Sequence, residues 1–296
     1  MKTLKQLALL PLFLGLVLTT ACTENYDNGN GTDNGYYNGG DNGNGDRLLP
    51  ARVFIDDAYE PFIEFFYDDQ NRITKMIGLF GPDDDAPNGE VLVERANIIT
   101  EIFDITHNTN GTIASIRATN DRNRERLTTF SHSGNSITSI TVGSWDDFTD
   151  TVHFEVNSRG QITQIWGVDS WDGSNWERTY TYNVNGNVIR TVNVSMRTDG
   201  VFSDTMYFEH STAVRAIFRN TNTPEWFQQF LWGGDLSIIF PKHGFMPTRV
   251  SGNYQNGTLI YTVENGWVQT ITISNEDEDD DWEQENIFRF EYVNAR

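Results

Sequence analysis

From residue 48 onward, apolar and polar residues alternate in short runs, separated by breaks rich in asparagine, aspartate and glycine. Alternation with period two sends successive side chains to opposite faces, so each run predicts a β-strand with one buried and one solvated face. The clearest pair lies at 154–165. Phe154 and Val156 share one face, Asn157 to Gly160 supply the turn, and Ile162 and Ile165 follow on the returning strand. The same unit recurs at 65–76, 103–116, 130–140, 180–192, 208–217 and 261–271, and half a unit closes the chain at 288–292. Before the turn, two aromatic residues often stand two apart, as in Phe65/Tyr67 and Tyr180/Tyr182. Glycine falls in most turns, where a hairpin loop needs positive φ.

The units that start at 103, 130, 154, 180 and 208 are 24 to 28 residues apart, so this is a repeat protein. The interval from 208 to 261 spans two periods and predicts a degenerate copy between them, with residues 236–240 as its first strand. Residues 224–231, which include Pro224, Glu225, Trp226, Phe227 and Phe230, fit a short helix or a loop. No segment carries a long helical period. The count comes to roughly sixteen strands, more than a twisted open sheet holds without curling or closing. The expected fold is therefore all-β: antiparallel hairpin repeats forming a large curved sheet or a barrel. The alternative is a β-propeller, with two hairpins in each blade of about 52 residues. A membrane-spanning barrel is disfavoured, because its outward face would have to be apolar and here the second face of each strand is Thr, Arg, Asn and Ser.

The N-terminus is of another kind. Lys2 and Lys5 precede an apolar run from Leu7 to Leu18, and Thr19-Thr20-Ala21-Cys22 follows. This predicts a secretory signal over 1–21, too short to span a bilayer. Cys22 is the only cysteine in 296 residues, which excludes an intrachain disulfide. The segment resembles the lipobox of bacterial lipoproteins, although Thr19 stands where an aliphatic residue is usual. That resemblance makes Cys22 the lipidated first residue of the mature chain. From Thr23 the composition collapses to Asn, Gly and Asp, so 22–47 is expected to be a flexible tether, and 48–296 the repetitive β domain. The formal charge is −21, and loss of two lysines with the signal takes it to −23. Such acidity repels phosphate backbones and anionic lipid surfaces, so nucleic acid is excluded as a partner.

The hairpins resemble the YD-type repeats of Rhs-like proteins. Tyr67-Asp68 before Arg72-Ile73 lacks the turn glycine, whereas Tyr182-Asn183 before Gly186-Asn187-Val188 keeps it with Asn for Asp. With the lipobox, the Asn/Gly tether and the late strand at Phe245-Met246-Pro247-Thr248-Arg249-Val250, residues 50–296 resemble a family of uncharacterised Bacteroidetes lipoproteins with a porin-like fold. The resemblance implies a soluble, porin-like barrel in a lipoprotein of the bacterial outer membrane, periplasmic or surface-exposed. That family has no assigned catalytic residues, so none carry over.

Candidate chemistry is sparse. His132 and His210 stand where the second aromatic of the unit belongs, and are read as core residues; His107, His153 and His243 are read as incidental. No nucleophile motif, phosphate loop or dinucleotide fingerprint occurs, and no cofactor is expected. Asp83 to Asp85 and the acidic run Glu276 to Asp281 are read as solvated loop charge, with weak calcium binding at Asp277, Asp279 and Asp281 as the alternative. Trp166, Trp171 and Trp176 follow one another at intervals of five, with Asp169, Asp172 and Asn175 between them. Aromatic faces beside acids and amides suit a glycan or protein ligand. Trp226 and Trp232 flank the irregular unit and are expected at the mouth of a cavity. The expected function is a non-enzymatic, lipid-anchored binding module of the envelope. The alternatives are a structural envelope scaffold and a glycan hydrolase.

Overall fold

The computed structural model describes residues 47–56, 58–80, 99–144, 149–169, 173–197, 200–232, 238, 241–252, 256–275 and 285–296. The predicted signal, Cys22 and its tether to residue 46 lie outside them. Sixteen strands are described: β1 Leu48–Ile55, β2 Ile63–Tyr67, β3 Ile73–Phe80, β4 Ile99–His107, β5 Ile113–Asn120, β6 Glu125–Ser133, β7 Ser136–Gly143 and β8 Thr149–Val156. The second half comprises β9 Ile162–Val168, β10 Asn175–Tyr182, β11 Val188–Arg197, β12 Gly200–Arg215, β13 Phe245–Gly252, β14 Asn256–Glu264, β15 Trp267–Asn275 and β16 Glu285–Asn294. Each strand pairs antiparallel with the next in the chain, and β1 pairs with β16, so the sheet is a closed barrel. That closure rules out separate propeller blades, because the two terminal strands complete one continuous ladder instead of leaving edges.

Alternation decides which residues fill the barrel. In β7, Ile137, Ser139 and Thr141 are buried while Ile140 and Val142 are exposed. In β8 the buried set is Asp150, Val152, Phe154 and Val156. The core inside the barrel is built from Phe65, Phe103, Phe130, Phe154, Phe208, Phe288 and Phe290 with aliphatic partners from nearly every strand.

The turns at one end repeat a single design. Asn157 accepts the backbone N–H groups of Arg159 and Gln161 on its side-chain oxygen, and Asn183 does the same for Asn185 and Asn187. Asp68 does so for Gln70 and Arg72. The fourth residue of each loop has positive φ: Gly160, Gly186 and, where glycine is absent, Asn71 at φ 60°. Asparagine tolerates that conformation, so the missing glycine of the first unit leaves the turn intact. Hairpins return with a β-bulge, seen as a register shift at Val188 and at four further positions, Ile73, Ile113, Ile162 and Val268.

Those four bulge carbonyls each receive a hydrogen bond from the strand that follows. His107 Nε2 lies 2.9 Å from the Ile73 oxygen and His132 Nε2 lies 2.8 Å from that of Ile113. Tyr182 donates to Ile162 at 2.6 Å and Tyr292 to Val268 at 2.5 Å. Two more tyrosines follow the rule at proline-containing strands: Tyr67 donates to Pro50 at 2.6 Å, and Tyr261 donates to Pro247. Pro50 and Pro247 also sit at register shifts. The second position of the aromatic pair is therefore a donor position, which tyrosine and histidine both satisfy. Burial raises the hydroxyl pKa of Tyr67, Tyr261 and Tyr292 above the usual phenol range, which keeps them protonated donors. A carbonyl only accepts, so His107 and His132 carry a proton on Nε2. His107, read from sequence as incidental, belongs to this series.

The repeat breaks between β12 and β13, where no hairpin occurs among the described residues. The unit expected at 208–217 is instead the far half of the long strand β12. Of the strand expected at 236–240, only Ile238 is described; it is buried in the core and lies outside every strand. The connecting segment enters the barrel and forms helix α1, Glu225–Trp232. Trp226, Phe227 and Phe230 are wholly buried there. Phe130 packs on Trp226 and Phe230 with ring centroids 5.8 and 5.6 Å apart. The segment also ties the turns together. Asn222 bonds Asn71 and Gln70, Thr223 accepts the Ile73 N–H, and the Trp226 N–H donates to Gly160. Gln161 bridges Glu225 and Gly186, and Arg219 lies 3.6 Å from the Trp267 ring centroid while donating to Gly266. Asn220 donates to Leu48 at the start of β1. This end of the barrel is thus plugged, and the chain enters the fold beside the plug.

Two substitutions test this construction. Tyr182→Phe keeps the ring but leaves the Ile162 carbonyl without its donor; it is expected to cost about 1–3 kcal/mol, read as a lower urea midpoint, while Tyr207→Phe on the exposed face changes it little. Equal midpoints for the two would refute the donor role. Gly244 has φ +72° and packs so closely on Asn187 that an added Cβ would stand 1.7 Å from the side-chain oxygen, the atom that accepts the Phe245 N–H at 2.8 Å. Gly244→Ala is expected to destabilise by more than about 1 kcal/mol, measured in the same way.

Candidate functional site

Away from the plug the barrel wall changes character. On β9 to β12 the register sets three inward rows. The innermost is Tyr180, Thr191 and Met206, all buried. Next come Ile165, Arg178, Asn193 and Asp204, which stand side by side on four strands. The row nearest the rim is Gly167, Trp176, Ser195 and Phe202. Phe202 belongs to the inward set yet is 52% exposed, so water reaches the inner wall here. Arg197 lies 5.7 Å from the Phe202 ring centroid. Trp176 packs over Gly167, where an added Cβ would meet the indole at 3.1 Å, and its inner edge joins the core. Buried oxygens of Thr191, Asn193 and Asp204 have no hydrogen-bond partner within the protein. Buried polar groups are ordinarily paired, so three unpaired acceptors on two adjacent strands mark a place built to receive donors.

The inner wall stays polar along β8 to β4, which continue the sheet from β9. Arg126 reaches Glu101 at 2.5 Å, with both side chains largely buried, and Thr128 bonds Thr141 at 2.9 Å. Asp150 stands opposite Thr141 on β8 and is 6% exposed. Burial pushes its carboxyl up to about 6; the Thr151 backbone N–H opposes the rise and Asp169 adds to it.

A depression of about 460 Å³ on the outer wall is lined by Thr149, Thr151, His153, Trp166, Val168 and Asn175 with Asp150 and Gly167 at its base. Trp166 is stacked on His153 at 5.5 Å between centroids and 25° between planes. Trp166 pairs with Glu177, whereas Trp176 pairs with Gly167. The two tryptophans therefore face opposite sides of the sheet and form no common surface, contrary to the expectation from their spacing. The residue between them in that series, Trp171, lies outside the described residues. Trp226 is not at a mouth: it is fully buried in the core. Trp232 is the last residue of α1. The acids Asp277, Asp279 and Asp281, like Asp83 to Asp85, lie outside the described residues. Among the described residues no three His, Cys, Asp or Glu side chains gather as a metal would require.

His132 sits inside the barrel, 6.5 Å from the Trp226 ring centroid, and burial lowers its pKa. His210, on the inward face of β12, is lowered to about 4 by burial. Both are neutral core residues at neutral pH, as their position in the unit implied.

No protein-family model matches the chain, and no curated protein does either. Solved structures similar to it include two porin-like proteins. A porin-like protein from Bacteroides uniformis is 14% identical over 66% of this chain and 91% of its own, with a TM-score of 0.37. A porin-like protein from Bacteroides vulgatus is 11% identical over 83% of this chain and 99% of its own, with a TM-score of 0.42. The barrel assignment itself rests on the strand pairing given above.

Sequence reasoning missed the inner wall. Arg178, Asn193 and Asp204 lie in strands of ordinary alternation, and only the register brings them into one row. A polar residue where the unit expects an apolar one was the available signal.

The buried acid yields a pH test. Because the folded chain holds the Asp150 proton more tightly than the unfolded chain, the ionised carboxylate destabilises the fold above pH 6, by at most about 3 kcal/mol. The cost fades as pH falls from about 6 to about 4. Asp150→Asn is expected to raise stability at pH 7.5 and to flatten its dependence between pH 4 and 7 in urea titrations. A variant that keeps the parent's slope would show that Asp150 is not the buried acid.

Proposed function

We propose that this chain is a water-facing β-barrel anchored to the bacterial outer membrane through lipid on Cys22, and that it acts as a non-enzymatic binding module. The observation that carries this reading is the outer wall. Arg52 pairs with Glu64 at 2.5 Å and with Glu291 at 3.4 Å across β1, β2 and β16, and Arg117 pairs with Glu125 at 2.5 Å on β5 and β6. Lys75 and Arg190 lie against outward rings on β2/β3 and β11/β12, and Arg289 covers Phe54 beside the first ion pair. A barrel that spans lipid needs an uninterrupted apolar band about 25 Å tall, and each Lys or Arg at its middle costs about 2–4 kcal/mol. A wall with ion pairs around it belongs in water. The scattered exposed apolar residues, among them Ile140, Val168 and Ile260, do not join into such a band.

The leader and the unique Cys22 supply the membrane attachment that the wall does not. Arg47 stands beside the plugged end, where its carbonyl accepts the Ala295 N–H. A tether that leaves from there directs the plug toward the bilayer and the polar inner wall away from it. A binding role is supported by the same arrangement, since one end is filled with aromatic side chains and only the other offers polar groups to solvent.

Metabolic labelling of the full chain with an alkyne fatty acid tests the anchor. Label is expected on the parent protein and absent from Cys22→Ala, which should move from the membrane pellet to the soluble fraction. Equal labelling or unchanged fractionation of the variant refutes the anchor at Cys22.

A further inference from the structure

We infer that the inner wall of β10 to β12 is a carbohydrate-binding site. Its principal contacts are Trp176, Arg178, Asn193, Phe202 and Asp204. This inference rests on the reading of the barrel as a binding module and names the class of its ligand.

Three observations meet at this wall. The first is the row of Arg178, Asn193 and Asp204, which the ladder sets side by side. Facing neighbours in an antiparallel pair stand about 4.5–5.5 Å apart at Cβ, close enough for one ring-sized ligand to touch all three. The second is hydrogen-bond demand. Oxygens of Asn193 and Asp204, and Thr191 behind them, are buried acceptors without a donor. An unpaired buried acceptor is costly, and a ligand that brings hydroxyl donors removes that cost. The third is the aromatic rim. Trp176 and Phe202 flank the polar row from one side, and Phe202 is exposed.

The combination discriminates among ligand classes. A bare cation has no use for aromatic faces. An apolar ligand would bury the acceptors unpaired. A phosphate or other anion would face Asp204 here and the buried acid Asp150 on β8, next to β9, within a chain of charge −21. A sugar ring presents hydroxyl donors and acceptors around its edge and C–H faces above and below. Those match the acid, amide and guanidinium of the row and the rings of the rim. Gly167 serves the same wall, since a side chain there would displace the Trp176 indole.

Calorimetric titration of the full lipidated chain in detergent, with laminarihexaose, xylohexaose, mannohexaose and chitohexaose as probes, tests the inference. Saturable binding of at least one is expected. Asp204→Ala and Phe202→Ala are each expected to weaken it at least about tenfold, whereas Ile140→Ala on the outer wall leaves it unchanged. Phe202 is exposed, so its replacement spares the core and serves as the variant certain to report on the site. No binding to any probe overturns the inference. So does binding that survives both inner-wall changes, or that is lost instead with Trp166→Ala, or a response to calcium chloride alone. Any of these results leaves fatty-acid labelling at Cys22 untouched, so the failure of the ligand class and the failure of the anchor are told apart.

Discussion

The barrel depends on how it treats its bulges. Every hairpin with a four-residue loop returns with an extra residue, and the extra residue turns a carbonyl out of the regular ladder. Left in an apolar interior, that carbonyl would cost much of what the hairpin gains. At four of the five bulges, Ile73, Ile113, Ile162 and Val268, a hydroxyl or imidazole from the next even-numbered strand takes it up, and the two proline-containing strands are served alike. The bond always crosses from one hairpin to the one before it. It therefore satisfies a polar atom and also joins successive repeats along the wall. This accounts for a motif in which the first position is simply large and apolar while the second also donates wherever a bulge carbonyl faces it.

The plug solves the complementary problem. A sixteen-stranded ring encloses more space than its own side chains fill. The chain interrupts its repeat once and sends α1 into the lumen, where Trp226, Phe227 and Phe230 complete the core. Because the same segment bonds three separate turns and the start of β1, it also fixes the end of the ring at which it enters. The filled half of the barrel is thus rigid, and the half beyond it is free of that demand. Thr128, Thr141, Asn193 and Asp204 occupy inward positions in this half, beyond the aromatic side chains of α1.

This division explains what could be read from the chain alone. The all-β class, the strand count, the hairpin turns and the curved or closed sheet were legible, because period-two alternation and turn residues are local signals. The histidines of the donor series were half legible: the slot of His132 was evident, and that of His107 was missed because the unit was aligned on Phe103 instead of Ile105. The short helix was legible as an option at 224–231 and is found at Glu225–Trp232, but its entry into the barrel was not. Residues 208–252 satisfied the period, and a short apolar stretch fits a strand or a helix until its neighbours are known. The tryptophan series failed for a related reason. Spacing of five suggested one surface, but a loop intervenes, and the register places Trp166 outside and Trp176 inside.

Closure also decides where recognition can reside. On an open sheet a polar row such as Arg178, Asn193 and Asp204 would simply face water, and its acceptors would be satisfied there. In a ring the same row is turned toward an enclosed space, where unsatisfied oxygens are costly and water is restricted. The pattern that makes an outer wall soluble becomes, on the inner wall, a demand for a partner. The outer ion pairs and the inner orphan acceptors are both polar, and only the side of the barrel on which they fall gives them different roles. Since side follows from register, and register from the bulges, the donor bonds that hold the bulges in place also set which residues can meet a ligand.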